Sequence, residues 1–164
     1  MAAGWTDFFE RLRRFLVTGE RERYEWREEI DGSVTLPKGD FAPLETESLY
    51  RWLPIASDGF RPRWFFIVDD EGPQRFQLEN WSLESNRLSF SVEIPNATGS
   101  TSCTVQVEAI ANGTRLRFVH TGWRSLGLSD GRSRALRRRF AATWIATLER
   151  VQDLAATAAP PSGR

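Results

Sequence analysis

The chain of 164 residues is long enough for one domain with a substantial buried core. Its 22 basic and 22 acidic side chains cancel, which argues against a globally basic nucleic-acid binder or anionic-membrane binder. A single cysteine, Cys103, excludes an intramolecular disulfide and a cysteine-based metal site; a single histidine, His120, leaves no imidazole pair for one, so no metal or cofactor is expected.

The first segment, WTDFFERLRRFL, sets Trp5, Phe8, Phe9, Leu12, Phe15 and Leu16 on one helical stripe, with Asp7, Glu10, Arg11, Arg13 and Arg14 opposite. An amphipathic helix over residues 1–19, stopped by Gly19, is expected. Its stripe suits docking on its own domain; a protein partner, self-association or a membrane surface is the alternative. RYEWREEI alternates weakly, as a first strand would, and DGSVTLPKGDFAP is rich in turn residues. Thr46 is placed to cap a short helix through ESLYRWL, with Leu49, Trp52 and Leu53 inward.

Strand patterns follow. RWFFIV ends in the turn DDEGP, and QRFQLENW puts Phe76 and Leu78 on one face. RLSFSVEI alternates Leu88, Phe90, Val92 and Ile94 with polar residues until Pro95 breaks it. CTVQVEAI places Cys103, with Val105 and Val107, on an apolar face, where a buried inert thiol is expected. Asn112-Gly113 marks a hairpin leading to a strand with Leu116, Phe118 and His120 on one face. From Asp130 the spacing lengthens: Leu136, Phe140, Trp144 and Leu148 recur every four residues, widened by Ala141, Ile145, Val151 and Leu154. That describes an amphipathic helix of about 25 residues. Residues 158–164, within AAPPSGR, read as a disordered tail. Neither a leader sequence nor an apolar run long enough to span a bilayer is visible, so a cytoplasmic, reducing setting is expected.

Short hairpins followed by one long helix predict an α+β domain over residues 20–157, its curved antiparallel sheet covered by the last helix. At Gly113-Thr114, the strand over residues 116–122 ending in histidine and glycine, Trp144, Trp52 and LENWSLESNRLSFSVEI, the chain resembles the START-like helix-grip (SRPBCC) superfamily. Its nearest branch by these motifs is the activator of heat-shock-protein-90 ATPase homologue-like one. The resemblance implies a helix-grip fold, and such a fold is expected to hold a small, mostly hydrophobic ligand between sheet and helix. Phe65, Phe76, Phe90, Phe118, His120, Trp144 and Leu148 are the candidate lining residues. A cyclase- or hydrolase-type enzyme in the same pocket, or a co-chaperone-like interaction module, are the alternatives.

His120 is the one candidate acid–base group, and no serine or cysteine nucleophile accompanies it in a recognisable motif. Its folding-motif position favours a strand-end polar contact over catalysis. Glu79 and Glu84 are further carboxylates that no spacing selects. Arg132, Arg134, Arg137, Arg138 and Arg139 crowd the first turns of the last helix, where the dipole disfavours cations. They imply either salt bridges within the domain or a patch for an anionic group or acidic partner. No stacking aromatics are interleaved among them, which argues against nucleic acid.

Overall fold

The computed structural model describes residues 13, 16 and 27–159. The expected N-terminal helix over residues 1–19 lies outside the described residues except for Arg13 and Leu16, both helical and exposed. Residues 160–164 of the expected tail also lie outside them. Seven strands form one antiparallel sheet in the order β1-β7-β6-β5-β4-β3-β2, with α1 (Thr46–Trp52) and α2 (Asp130–Ala158) completing an α+β, helix-grip-like fold. The strands are β1 (Ile30–Pro37), β2 (Ile55–Ser57), β3 (Pro62–Asp69), β4 (Gly72–Leu83), β5 (Arg87–Glu93), β6 (Ser100–Ile110) and β7 (Gly113–Thr121).

The central hairpins follow the alternation in the sequence. Leu88, Phe90 and Val92 of β5, Cys103 and Val105 of β6, and Leu116, Phe118 and His120 of β7 are buried on one face. In register, Cys103 stands between Phe90 and His120. Two-fold alternation makes that face continuous, and α2 covers it with Phe140, Trp144, Val151 and Ala155.

Two expectations are corrected, and one strand is added. DGSVTLPKGDFAP is not a turn at its start: residues 30–37 are β1, pairing Gly32 with Phe118 and Val34 with Leu116. Of the strand expected at residues 23–30, only Ile30 belongs to β1, and residues 23–26 lie outside the described ones. Gly32 is there for space, because a Cβ would sit 2.8 Å from a Phe118 ring carbon and 3.1 Å from a Leu148 methyl. The second correction is at α1. Its N-cap is Glu45, without a side-chain bond, so Thr46 is the first helical residue and not the cap. Leu49 and Trp52 are buried as expected, and the Trp52 indole donates to the Pro43 carbonyl at 2.8 Å. The added strand is β2, a short edge strand that three residues were too few to announce.

Two local devices shape the sheet. At Asn80, φ is 52° and the register between β4 and β5 shifts. The bulge reverses the parity of β4, so Phe76 and Leu78 point inward before it and Trp81 points inward after it, stacked on Phe90 at 5.5 Å. At the β6–β7 hairpin, Gly113 has φ 153° and lies where a Cβ would fall 2.0 Å from the Leu36 carbonyl oxygen, which only glycine permits.

Candidate functional site

Period-two alternation in β7 carries His120 to the concave face, and the four-residue spacing of α2 brings Trp144 onto it. The indole N–H of Trp144 donates to His120 Nδ1 at 3.0 Å. An indole only donates, so Nδ1 must be unprotonated and Nε2 carries the proton. Nε2 then donates to Thr101 Oγ1 at 2.7 Å, and that hydroxyl donates to the Val92 carbonyl at 3.4 Å. The chain of bonds joins α2, β7, β6 and β5. His120 and Thr101 are completely buried, and Trp123, Phe140 and Trp144 surround the imidazole ring. Desolvation pushes the His120 pKa down to about 3, so the ring is neutral at physiological pH. Both nitrogens are engaged and no solvent reaches them. This arrangement suits a structural linchpin and leaves no lone pair for general-base work.

The residues expected to line a cavity instead meet one another. Phe118 stacks on Trp144 at 4.2 Å, Phe65 on Phe140 at 5.5 Å, and Phe76 tilts against Phe140 at 5.0 Å. Phe65 also reaches Phe90 at 6.1 Å, and Leu148 packs over Gly32. Large side chains from sheet and helix face and touch each other, a distance relation that composition alone does not reveal. Cys103 is buried beside them, and burial raises its thiol pKa well above the ordinary value, consistent with an inert thiol.

An open cleft of about 430 Å³ begins where this packed cluster ends, at the N-terminal turns of α2. Phe76, Ile94, Leu128 and Leu136 give it an apolar floor; Glu71, Gln74, Arg132 and Arg139 form its polar rim. Ser129 caps α2 there by accepting the Arg132 backbone N–H at 3.3 Å. The cleft thus joins one member of the expected lining, Phe76, to two of the expected arginine patch. Gln74, Ile94, Leu128 and Leu136 were missed as site residues. Gln74 carried a signal: it is a polar residue in phase with inward Phe76 and Leu78.

The arginine cluster divides. Arg139 grips Asp69 through two bonds, one from Nε to Oδ2 and one of 3.0 Å to Oδ1, donates to Gln74 Oε1 at 2.7 Å and lies 3.6 Å from Glu71. Its guanidinium holds the Asp69 carboxyl below the usual range. Arg137 donates to the Glu29 carbonyl at 2.5 Å, and Arg134 lies 3.9 Å from Asp130. Arg139 and Arg137 fasten α2 to its surroundings, by a salt bridge and by a bond to a backbone carbonyl, whereas Arg134 pairs within the helix. Arg132 and Arg138 are exposed. The two spare carboxylates lie off the site: Glu79 accepts from Gln77 on the outer face, and exposed Glu84 is in the turn after β4.

No metal-binding cluster of His, Cys, Asp or Glu occurs among the described residues, and no described helix is long and apolar enough to cross a membrane. No family model matches the sequence, and no curated protein matches it. Among solved structures, the chain is similar to DynU16, a protein in the dynemicin biosynthetic locus, with 52% identity over 93% of this chain and a TM-score of 0.83. It is also similar to the di-domain ARO/CYC protein StfQ from the steffimycin biosynthetic pathway, with 15% identity over 93% of this chain and a TM-score of 0.56. A third is MLL2253 from Mesorhizobium loti, with 15% identity over 79% of this chain and 97% of that one, and a TM-score of 0.54. The chain spans 57% of the length of DynU16 and 60% of StfQ.

Proposed function

We propose that the protein binds a small, mostly apolar molecule that carries an anionic or hydrogen-bonding group, in the cleft at the N-terminal end of α2. The observation that carries this reading is the cleft itself, an apolar floor of Phe76, Ile94, Leu128 and Leu136 with Arg132 exposed at its rim. A concave site with few placed polar groups is the usual form of a small-molecule site. The similarity to DynU16 supports a ligand drawn from small-molecule biosynthesis. The resemblance to the activator of heat-shock-protein-90 ATPase homologue-like branch rests on Trp52, Gly113, His120 and Trp144, which here build the fold. It therefore supports the architecture more than a chaperone partner. The cyclase- or hydrolase-type alternative loses its acid–base group, because His120 is enclosed and doubly bonded.

The test uses anilinonaphthalene sulfonate, an apolar ring system with one anionic group. The wild-type protein binds it saturably at one site, and Leu136→Trp, which fills the cleft, weakens binding at least tenfold. Arg132→Ala weakens it less and removes its salt dependence. Unchanged affinity in Leu136→Trp sinks the proposal. Native mass spectrometry of freshly purified protein then identifies any ligand carried from the cell.

A further inference from the structure

The back of α2 carries a small apolar patch, flanked by exposed Arg138, Glu149 and Arg150. The sheet ends at β1 on one side and β2 on the other, and α2 touches β1 and β3. On its solvent side Ala142, Ile145 and Ala146 are exposed, Ile145 by 62%. Ala142 and Ala146 continue into a groove of about 220 Å³ completed by Pro54 and Phe66 from the β2–β3 side and by Thr143, Thr147 and Arg150 of α2. The small alanines leave room for large rings to approach the helix closely.

We propose that residues 5–16 of the chain form a strap over this face, running from the β1 side across Ile145 to the groove at Pro54 and Phe66. Three observations name this segment as the occupant. First, it carries the matching chemistry, with Trp5, Phe8, Phe9, Leu12, Phe15 and Leu16 on one helical stripe. Leu16 is helical and 73% exposed, so the segment and the helix each present an uncovered large apolar side chain. Second, the chain starts out beside the face. Arg137 of α2 donates to the Glu29 carbonyl, and the Glu28 carboxylate accepts the backbone N–H groups of Gly122 and Arg124. The first bond ties Glu29 to the N-terminal half of α2, and the other two tie Glu28 to the segment between β7 and α2. Third, the tether reaches. Ile145 lies about 12 Å further along the helix from Arg137. About a dozen residues link Leu16 to Glu29, an extended reach of about 40 Å. A tether of this length gives a local concentration near the millimolar range, above that of a second copy in dilute solution.

The full chain is the test object. Cysteines are introduced in pairs, Ile145→Cys with Phe8→Cys, Phe9→Cys or Leu12→Cys in turn, leaving buried Cys103 in place, and a short bis-maleimide is added at low protein concentration. The strap gives an intramolecular cross-link in at least one pair, with the chain remaining a monomer on a denaturing gel. In parallel, Ile145→Asp, a substitution at an exposed position, speeds tryptic cleavage at Arg11, Arg13 and Arg14 at least tenfold while cleavage within residues 30–158 is unchanged. Cross-links that form only between chains and vanish on dilution overturn the strap in favour of a second copy. Absence of cross-linking in all three pairs, with cleavage unaffected by Ile145→Asp, overturns it altogether.

Discussion

The interior around His120 and the cleft beside Arg132 share one helix and are built on opposite terms. Around His120, Phe118 and Trp144 stack face to face at 4.2 Å and the polar atoms of the histidine and Thr101 are paired. Beside Arg132, Phe76 and Leu136 border open space, and the polar groups are held at the rim. The same aromatic residue types thus seal one end of the grip and floor the other. What separates the two is the polar partner available: a buried indole and hydroxyl for His120, and solvent for Arg132. The lesson is that an aromatic-rich interior of this fold can serve as core, with open space left at the helix's N-terminal end.

The largest effect expected is from Trp144→Ala. It removes the stack on Phe118 and the donor to His120, and it should cost about 3–5 kcal/mol in chemical denaturation. A cost below about 1 kcal/mol would mean that the site is a loosely filled cavity and would erase the contrast.

Next is pH. The folded His120 pKa of about 3 lies below the ordinary imidazole value of 6.5, so the unfolded chain binds the proton more readily. Its stabilising contribution is fully present above pH 6.5 and is lost as pH falls toward 3. The slope is about 1.4 kcal/mol per pH unit in that window. Urea melts between pH 7 and 4.5 measure it, and His120→Ala should flatten the slope while lowering stability at pH 7. Asp69, held low by Arg139, adds loss of stability only at more acidic pH, below its ordinary value of 3.8.

A moderate effect is expected at the border of the two regions. Arg139→Met releases Asp69, Glu71 and Gln74 together and should lower Tm by less than Trp144→Ala does. It should also alter probe binding in the cleft, which Trp144-side substitutions that remain folded should not. The smallest effect on stability is predicted for Arg132→Ala, within about 0.5 kcal/mol of wild type, since the side chain is exposed.

Much of this contrast was written locally and some of it was not. The alternation of β5, β6 and β7 and the four-residue spacing of α2 suffice to place Phe90, Phe118, His120 and Trp144 on the concave face. β1 was hidden because Asp31-Gly32 looks like a turn; Gly32 is explained by Phe118, far along the chain, which occupies the space of its Cβ. The bulge at Asn80, which turns Trp81 inward, has no strong local signature. Whether facing rings touch or line a void depends on the distance between sheet and helix, and no periodicity encodes it. The partners of the arginine cluster, Asp69, Glu71 and Glu29, are likewise remote in sequence and converge only through the fold.

The most direct test of the packed interior and the open cleft is one titration. Uniformly ¹⁵N-labelled protein is followed by two-dimensional NMR as anilinonaphthalene sulfonate is added, reading backbone amides and the tryptophan indole N–H signals together. The account predicts that the amides of Leu128, Arg132 and Leu136 shift saturably while the Trp144 and Trp123 indoles, bonded to His120, stay in place. Saturable movement of the Trp144 indole with the cleft amides unmoved would put the ligand in the interior and contradict it.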